Sequence, residues 1–306
     1  MTTAAAAPPT GASTGLGADG YADGDGVRLH YVARGDGPVV LLLHGFPDFW
    51  YGWRHQLVAL AEVGLRAVAL DLRGYNLSQR PAPVTAYALD RLVADAAAAA
   101  RALGGGAPVR VVGHDWGGAV AWKLAMRHPD AVDRLAILNA PHPRRFAELL
   151  RTPAQLLRSW YTGAVQVPAV PELLLGARGR ALLHATWDRT HYRPGAFTAE
   201  DHRQYDAAFS SPGALTAALN YYRAAARRAR ATFDADVPRG DEVVRAPTLV
   251  VWGEDDPALL RANAEGLEPW VPDLRVHFVP GAGHFVQSDA PEAVNARLTE
   301  FLTADR

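Results

Sequence analysis

The sequence predicts an α/β fold: a mostly parallel central sheet flanked by helices, with an inserted helical cap. Three observations carry this. From Val27 to Leu138, short apolar runs alternate with helical patterns, the rhythm of parallel strands with helices on both faces. Over residues 144–234 that rhythm stops, and mainly helical patterns are punctuated by Pro153, Pro168, Pro171, Pro194 and Pro212. At Thr248 it resumes. The expected organisation is a disordered tail over 1–20, a core of 21–143 and 235–306, and a cap over 144–234.

The elements follow in order. Val27–Ala33 alternates apolar and polar, as an edge strand does, after the hairpin-type turn Gly24-Asp25-Gly26. Val39–Leu43 is continuously apolar, which suits a strand buried on both faces. A helix is expected near Trp53–Glu62, then a strand at Ala67–Leu70 closed by Asp71 and Arg73-Gly74. Tyr87–Leu103 reads as a long Ala-rich helix, ended by Gly104-Gly105-Gly106. Strands at Val109–Val112 and Leu135–Leu138 bracket a helix at Ala119–Arg127. After the cap come a strand at Thr248–Trp252, a helix from Pro257, a strand at Val276–Val279 and a closing helix from Pro291 to Leu302.

Composition narrows the function. The chain has 31 basic and 32 acidic residues, so no net field favours nucleic acid or an anionic membrane. It has no cysteine, which excludes a thiol nucleophile, disulfides and thiolate metal sites. The first 20 residues lack the basic start and apolar stretch of a secretory signal. No apolar run approaches the ~18 residues of a membrane span, and a cytoplasmic location is the expectation. No G-x-G-x-x-G follows a strand, so no nucleotide cofactor is implied.

The most informative segment is Gly113-His-Asp-Trp-Gly-Gly118, between an expected strand and an expected helix. It has the form of a nucleophile elbow with Asp115 in the nucleophile's place. Such an elbow sets its side chain at the carboxyl end of a strand, facing the crevice where open α/β sheets bind ligands. His44-Gly-Phe-Pro47 follows an earlier strand, and the Phe46 and Trp116 N–H groups make a natural oxyanion pair. Asp256 follows the strand Thr248–Trp252 and is the expected acid, with Asp255 and Glu254 as near alternatives. Asn139 is neutral and cannot fill that role. His284, in Gly281-Ala-Gly-His-Phe285, is the expected base. Singly, Asp115 or Asp256 could be a helix N-cap and His284 a surface histidine. Their order at successive strand ends argues for catalysis.

Together these segments resemble the α/β-hydrolase superfamily, and within it the epoxide hydrolase branch. The resemblance runs from about Gly20 to Phe301. It rests on His44-Gly-Phe-Pro-Asp-Phe-Trp-Tyr-Gly-Trp-Arg54, Asp71-Leu-Arg-Gly-Tyr75, Gly113–Gly118, Asn139-Ala-Pro-His-Pro143 and Gly283-His-Phe285. Haloalkane and haloacetate dehalogenases share the aspartate nucleophile, and the cap distinguishes them. Epoxide hydrolases carry one tyrosine shortly before a Gln-x-Pro and another in an Asn-aromatic-Tyr-Arg segment. Here these would be Tyr161, before Gln166-Val-Pro168, and Tyr222, in Asn220-Tyr-Tyr-Arg223. Tyr221 is the alternative in register. Haloacetate dehalogenases have Trp in place of Tyr161 and Arg in place of Trp116. Haloalkane dehalogenases usually have Asn in place of Phe46. Val165 stands where epoxide hydrolases usually have Phe.

The resemblance implies a covalent mechanism without cofactor or metal. An aspartate near pKa ~3.9 is ionised at neutral pH without a base. Attack at an acyl carbon would give an anhydride, so its useful targets are saturated carbons bearing halide or epoxide oxygen. The epoxide oxygen leaves as an alkoxide and needs a proton donor, which two phenols supply. The expected substrate is a small apolar or aromatic epoxide, hydrolysed with water to a vicinal diol by a monomer or homodimer. The alternatives are a haloacid or haloalkane dehalogenase and a non-hydrolytic ligand-binding or ring-opening protein. His44, Trp160, Trp187 and Phe285 are expected to wall the pocket. His184, His191 and His202, with Asp188 and Asp201, fit no compact metal motif. Arg54 reads as structural, and Arg223, Arg227, Arg228 and Arg230 as a solvated helix face.

Overall fold

The computed structural model describes residues 15–176, 180–190, 196–232 and 242–304. Eight strands form one sheet: β1 (Ala18–Asp23), β2 (Arg28–Arg34), β3 (Val39–Leu43), β4 (Arg66–Leu70), β5 (Val109–His114), β6 (Val132–Leu138), β7 (Thr248–Gly253) and β8 (Leu274–Val279). Their order is β1-β2-β4-β3-β5-β6-β7-β8. β1 and β2 run antiparallel to their neighbours, and β3 to β8 are parallel. The central strands are buried on both faces: every residue of β3 (VVLLL) and of β7 (TLVVWG) is buried. That explains why they read as unbroken apolar runs.

Helices cover both faces. α1 (Arg54–Glu62) and α12 (Pro291–Thr303) pack together on one side, and α2 (Leu89–Leu103) and α3 (Asp115–Arg127) on the other. α11 (Val286–Asp289) leads into α12. Between β6 and β7 lies the insertion: α4 (Pro143–Leu149), α5 (Pro153–Arg158), α6 (Trp160–Ala164), α7 (Val170–Leu175), α8 (Arg180–Thr190), α9 (Ala199–Ser210) and α10 (Ala214–Thr232). Thr198 and Asp201 close a capping box at the start of α9. No described helix is long and apolar enough to cross a membrane.

Four expectations need correction. The disorder expected over 1–20 does not hold at residues 18–20, which pair with Ala33, Val32 and Tyr31 of β2. Residues 1–14 and the 234/235 boundary lie outside the described residues. β1 therefore takes the edge position expected for Val27–Ala33. Its sequence, ADGYAD, has one good strand former, so ladder pairing and not propensity holds it. The helix expected from Pro257 does not form; one 3₁₀ turn stands at Arg261–Ala264. The Leu260 N–H that would enter such a helix donates instead to Gln155 Oε1, at 3.0 Å. α3 begins at Asp115 rather than at Ala119.

Candidate active site

The parallel register brings the carboxyl ends of β3, β5, β6, β7 and β8 to one edge of the sheet, and the loops there meet. At the end of β5 the chain turns directly into α3, with Asp115 at φ +51°. A non-glycine residue there is strained by about 1–3 kcal/mol. The glycines around it make the turn possible. A Cβ on Gly113 would lie 2.6 Å from Gly117 O and 2.7 Å from Ala121 Cβ. One on Gly117 would run into Leu43 O, and one on Gly118 into Ala140 Cβ.

The turn presents the Asp115 carboxylate to two partners. Oδ1 accepts the Phe46 N–H at 2.8 Å, and Oδ2 lies 3.6 Å from His284 Nε2. Burial alone would raise its pKa, but His284, His114 and the Phe46 N–H together hold it below the usual carboxylate range. It is ionised at neutral pH. Trp116 follows in the first turn of α3, where backbone N–H groups have no partner within the helix.

His284 stands in the loop after β8. Its Nδ1 faces Asp256 Oδ2 at 2.7 Å. Burial disfavours the imidazolium, yet Asp256 and Asp115 outweigh it and push the pKa up to about 10. Asp256 is 1% exposed. Its Oδ1 accepts the N–H groups of Ala258 (2.8 Å) and Leu259 (2.9 Å). Its Oδ2 accepts Asn139 Nδ2 at 2.8 Å as well as His284. Burial would raise this carboxyl too, and His284, Asn139 and the Leu259 N–H bring it below the usual range. Of the alternatives, Asp255 is exposed and Glu254 pairs with Arg261 at 3.0 Å.

The sequence gives no site role to Asn139 or His114, and the structure sets both against the expected site residues. Asn139 sits beside Asp256: its Oδ1 accepts the Gly253 N–H at 2.8 Å while its Nδ2 donates to Asp256 Oδ2 at 2.8 Å. The available signal was its place at the end of β6, beside the strand that carries Asp256. His114 stands at the end of β5. Its Nε2 donates to His284 O at 2.8 Å, and burial followed by the charge of His284 pushes its pKa down to about 3. A neutral His114 thus holds the backbone of the His284 loop.

The insertion closes the site. Tyr161 on α6 and Tyr222 on α10 line one cavity of about 470 Å³ together with Asp115, His284, Phe46 and Phe285. Their rings meet edge to face, with centroids 5.9 Å apart. Tyr222 also packs edge-on against Phe46 (5.7 Å) and Trp116 (5.1 Å). Burial, then the charge of Asp115, raises both phenols well above their usual range. They keep their protons. Tyr221 turns away, donating to Arg73 O at 2.8 Å and packing on Tyr75 and Tyr87. Most other lining groups are apolar, among them Val165, Leu175, Leu183 and Leu219. Trp160 lines the rim and is 71% exposed.

Two expected pocket residues lie elsewhere. His44 is fully buried behind the loop that follows β3; its Nε2 accepts the Leu72 N–H (3.1 Å) and its Nδ1 donates to Gly45 O (2.9 Å). Trp187 is fully buried under α9 and donates to Pro47 O at 3.0 Å. Tyr205 of α9 donates to Asp48 Oδ1 at 2.7 Å. Trp187 and Tyr205 thus hold the loop at Pro47-Asp48, and neither lines the cavity. Gln155 ties α5 to the loop that carries Asp256, accepting the Leu260 N–H and Asn263 Nδ2 and donating to Ala258 O.

The remaining polar groups take structural places. His184 pairs with Asp206 (3.0 Å) and His202 with Asp188 (3.1 Å); His191 lies outside the described residues. Among the described residues no three His, Cys, Asp or Glu side chains gather as a metal set. Arg54 pairs with Asp201 at 3.1 Å. Arg223 departs from the expected solvated face: its side chain is 13% exposed and grips Glu172 with two bonds, 2.6 and 3.0 Å. The Arg230 side chain is outside the described set.

Residues 38–291 match the family described as alpha/beta hydrolase fold. The chain is 39% identical to Epoxide hydrolase 4 of Mus musculus over 285 residues, 90% of this chain and 77% of that protein. It is 38% identical to Epoxide hydrolase 3 of Xenopus tropicalis over 310 residues, 98% of this chain and 82% of that one. It also superposes on the crystal structure of a mutant epoxide hydrolase from Bacillus megaterium, complexed with its product (R)-3-[1]naphthyloxy-propane-1,2-diol. The TM-score is 0.82 at 33% identity, covering 93% of this chain and 100% of that one.

Proposed function

The chain belongs to the alpha/beta hydrolase family and is an epoxide hydrolase, and from that premise we propose how its residues divide the reaction. Asp115 is the nucleophile, His284 the base and Asp256 its charge partner. Tyr161 and Tyr222 are the proton donors, and the N–H groups of Phe46 and Trp116 form the oxyanion hole. The insertion 144–234 acts as a cap that carries the donors. The observation that carries this assignment is that an ionised carboxylate, an imidazole and two protonated phenols share one apolar cavity.

In the first step Asp115 attacks an epoxide carbon and the carbon–oxygen bond breaks. A phenol proton passes to the departing oxygen, which becomes the first hydroxyl. The ester no longer carries the Asp115 charge, so one of the two carboxylates that raise the pKa of His284 is lost. The imidazolium then gives up its proton, which restores the phenol. In the second step neutral His284 takes a proton from water, and the hydroxide adds to the Asp115 Cγ. Phe46 and Trp116 hold the oxyanion. Collapse expels the second alkoxide, which takes the proton of the new Asp115 carboxyl, so that ionised Asp115 and the His284 imidazolium both return. The sum is epoxide plus water to vicinal diol. One change of charge on Asp115 therefore switches His284 from a supporting cation to a base.

The apolar cavity and the aryl diol held by the Bacillus megaterium relative support an apolar or aromatic epoxide as substrate. The test is a product assay with styrene oxide, a terminal alkyl epoxide and chloroacetate in parallel. Diol without chloride release is expected. Chloride without diol would overturn the assignment of the phenols.

A further inference from the structure

The two proposed donors sit on separate segments of the insertion, and their spacing must be fixed by something other than the sheet. The segment carrying Tyr161 runs through α6 to Val165-Gln166, and the segment carrying Tyr222 is α10. Two side chains cross between them in opposite directions. Gln166 Nε2 donates to Tyr222 O at 3.3 Å and to Thr162 O at 3.0 Å. Arg223 Nε donates to Val165 O at 3.2 Å. Each side chain thus bonds a backbone carbonyl beside the other. Glu172 of α7 holds the far side of the Arg223 guanidinium with two bonds. These bonds are half-buried and bridge positions more than fifty residues apart in the chain.

We propose that Gln166 and Arg223, braced by Glu172, form a reciprocal latch that sets the distance between the Tyr161 and Tyr222 phenols, and so governs epoxide opening but not ester hydrolysis. The inference rests on the assignment of those phenols as donors. It makes Gln166 and Arg223 positioning residues, since neither lines the cavity. The selectivity between steps follows from the architecture. The oxyanion loop, Asp256 and His284 belong to the sheet-edge loops, and no bond of the latch reaches them. An orientation error of about 1 Å can cost ~10²-fold in a step that requires that orientation. Arg223 is also the kind of planar, multi-donor group for which lysine is a poor replacement.

The test separates the two steps. In a His284→Gln background, ester formation with styrene oxide is followed by mass spectrometry of quenched protein, which reads opening alone. In a His284-intact background, decay of the preformed ester reads hydrolysis. Gln166→Met removes the donors while keeping the length, and Arg223→Lys keeps a charge for Glu172 while losing the Nε bond. Each is expected to slow ester formation at least tenfold and to leave ester decay within twofold. With Tyr222→Phe already present, either change should slow opening less than threefold further, because the group being positioned is gone. Glu172→Gln, the mildest change, should give an intermediate effect if the other variants do not fold. Equal slowing of both steps, or full additivity with Tyr222→Phe, would reduce these residues to structural supports and overturn the proposal. Unimpaired ester formation in Tyr161→Phe and Tyr222→Phe would instead overturn the donor assignment. Slow opening in those two, with normal opening in the latch variants, would overturn the latch alone.

Discussion

The sheet edge and the insertion meet across one cavity but hold their reactive groups in different ways. Asp256 alone receives four hydrogen bonds, and His284 is fixed at both its ring and its backbone carbonyl. Tyr222, by contrast, is placed by rings stacked edge-on and by bonds to its carbonyl. The sheet edge is set by buried charge, and the insertion by ring packing and half-buried bonds. Errors at the edge should therefore remove chemistry outright, whereas errors in the insertion should degrade it.

The largest test of that contrast is Asp115→Ala, which should lower turnover by about 10⁴-fold or more, measured as diol formation. His284→Gln comes next: turnover should fall by ~10³–10⁴-fold, with a stable ester adduct in the mass spectrum. Full turnover without an adduct would remove the two-step scheme. On the insertion, Tyr161→Phe/Tyr222→Phe should slow opening by ~10²–10⁴-fold, while either single change costs less, since one phenol remains.

Smaller effects sharpen the comparison. Asn139→Ala should lower stability by about 1–3 kcal/mol, because it strips a donor from a buried carboxylate; urea titration measures this. The same variant should reduce turnover without shifting KM. The pH dependence follows from His284. Its pKa is raised in the folded protein to about 10 from an ordinary ~6.5, so its contribution to stability is complete below pH ~6.5. That contribution declines as pH rises and is gone above about 10. Urea midpoints between pH 6 and 10 should fall more steeply in the wild type than in His284→Gln. Tyr221→Phe should be the mildest change, removing one buried bond worth about 0.5–1.5 kcal/mol and leaving turnover near normal.

The same division explains what could be read from the sequence. Strand ends declare their residues through local grammar: an apolar run, a glycine turn, then the functional side chain. Asp115, Asp256 and His284 each had that grammar, and they converge. Asn139 follows its apolar run directly, with no glycine turn, and its neutral amide takes its place from the strand next door. Within the insertion no such grammar exists. Tyr161 and Tyr222 were found only through family resemblance, and Arg223 was assigned to solvent because a run of arginines on a helix looks the same whether or not a glutamate from α7 reaches it. His44 and Trp187 misled for a related reason. A histidine or tryptophan near a site motif is recognisable, but its direction is set by distant partners such as Leu72 and Pro47.

The bonds from Trp187 to Pro47 and from Tyr205 to Asp48 bear on engineering by recombination. They mean that the loop after β3, which holds the Phe46 N–H against Asp115, takes its shape partly from helices encoded more than a hundred residues later. A cap exchanged between homologues at the ends of β6 and β7 would sever a contact that the crossover points do not reveal. A chimera made from this chain should carry residues 47–48 across with α8 and α9 as one hereditary block, even though they are separated along the gene.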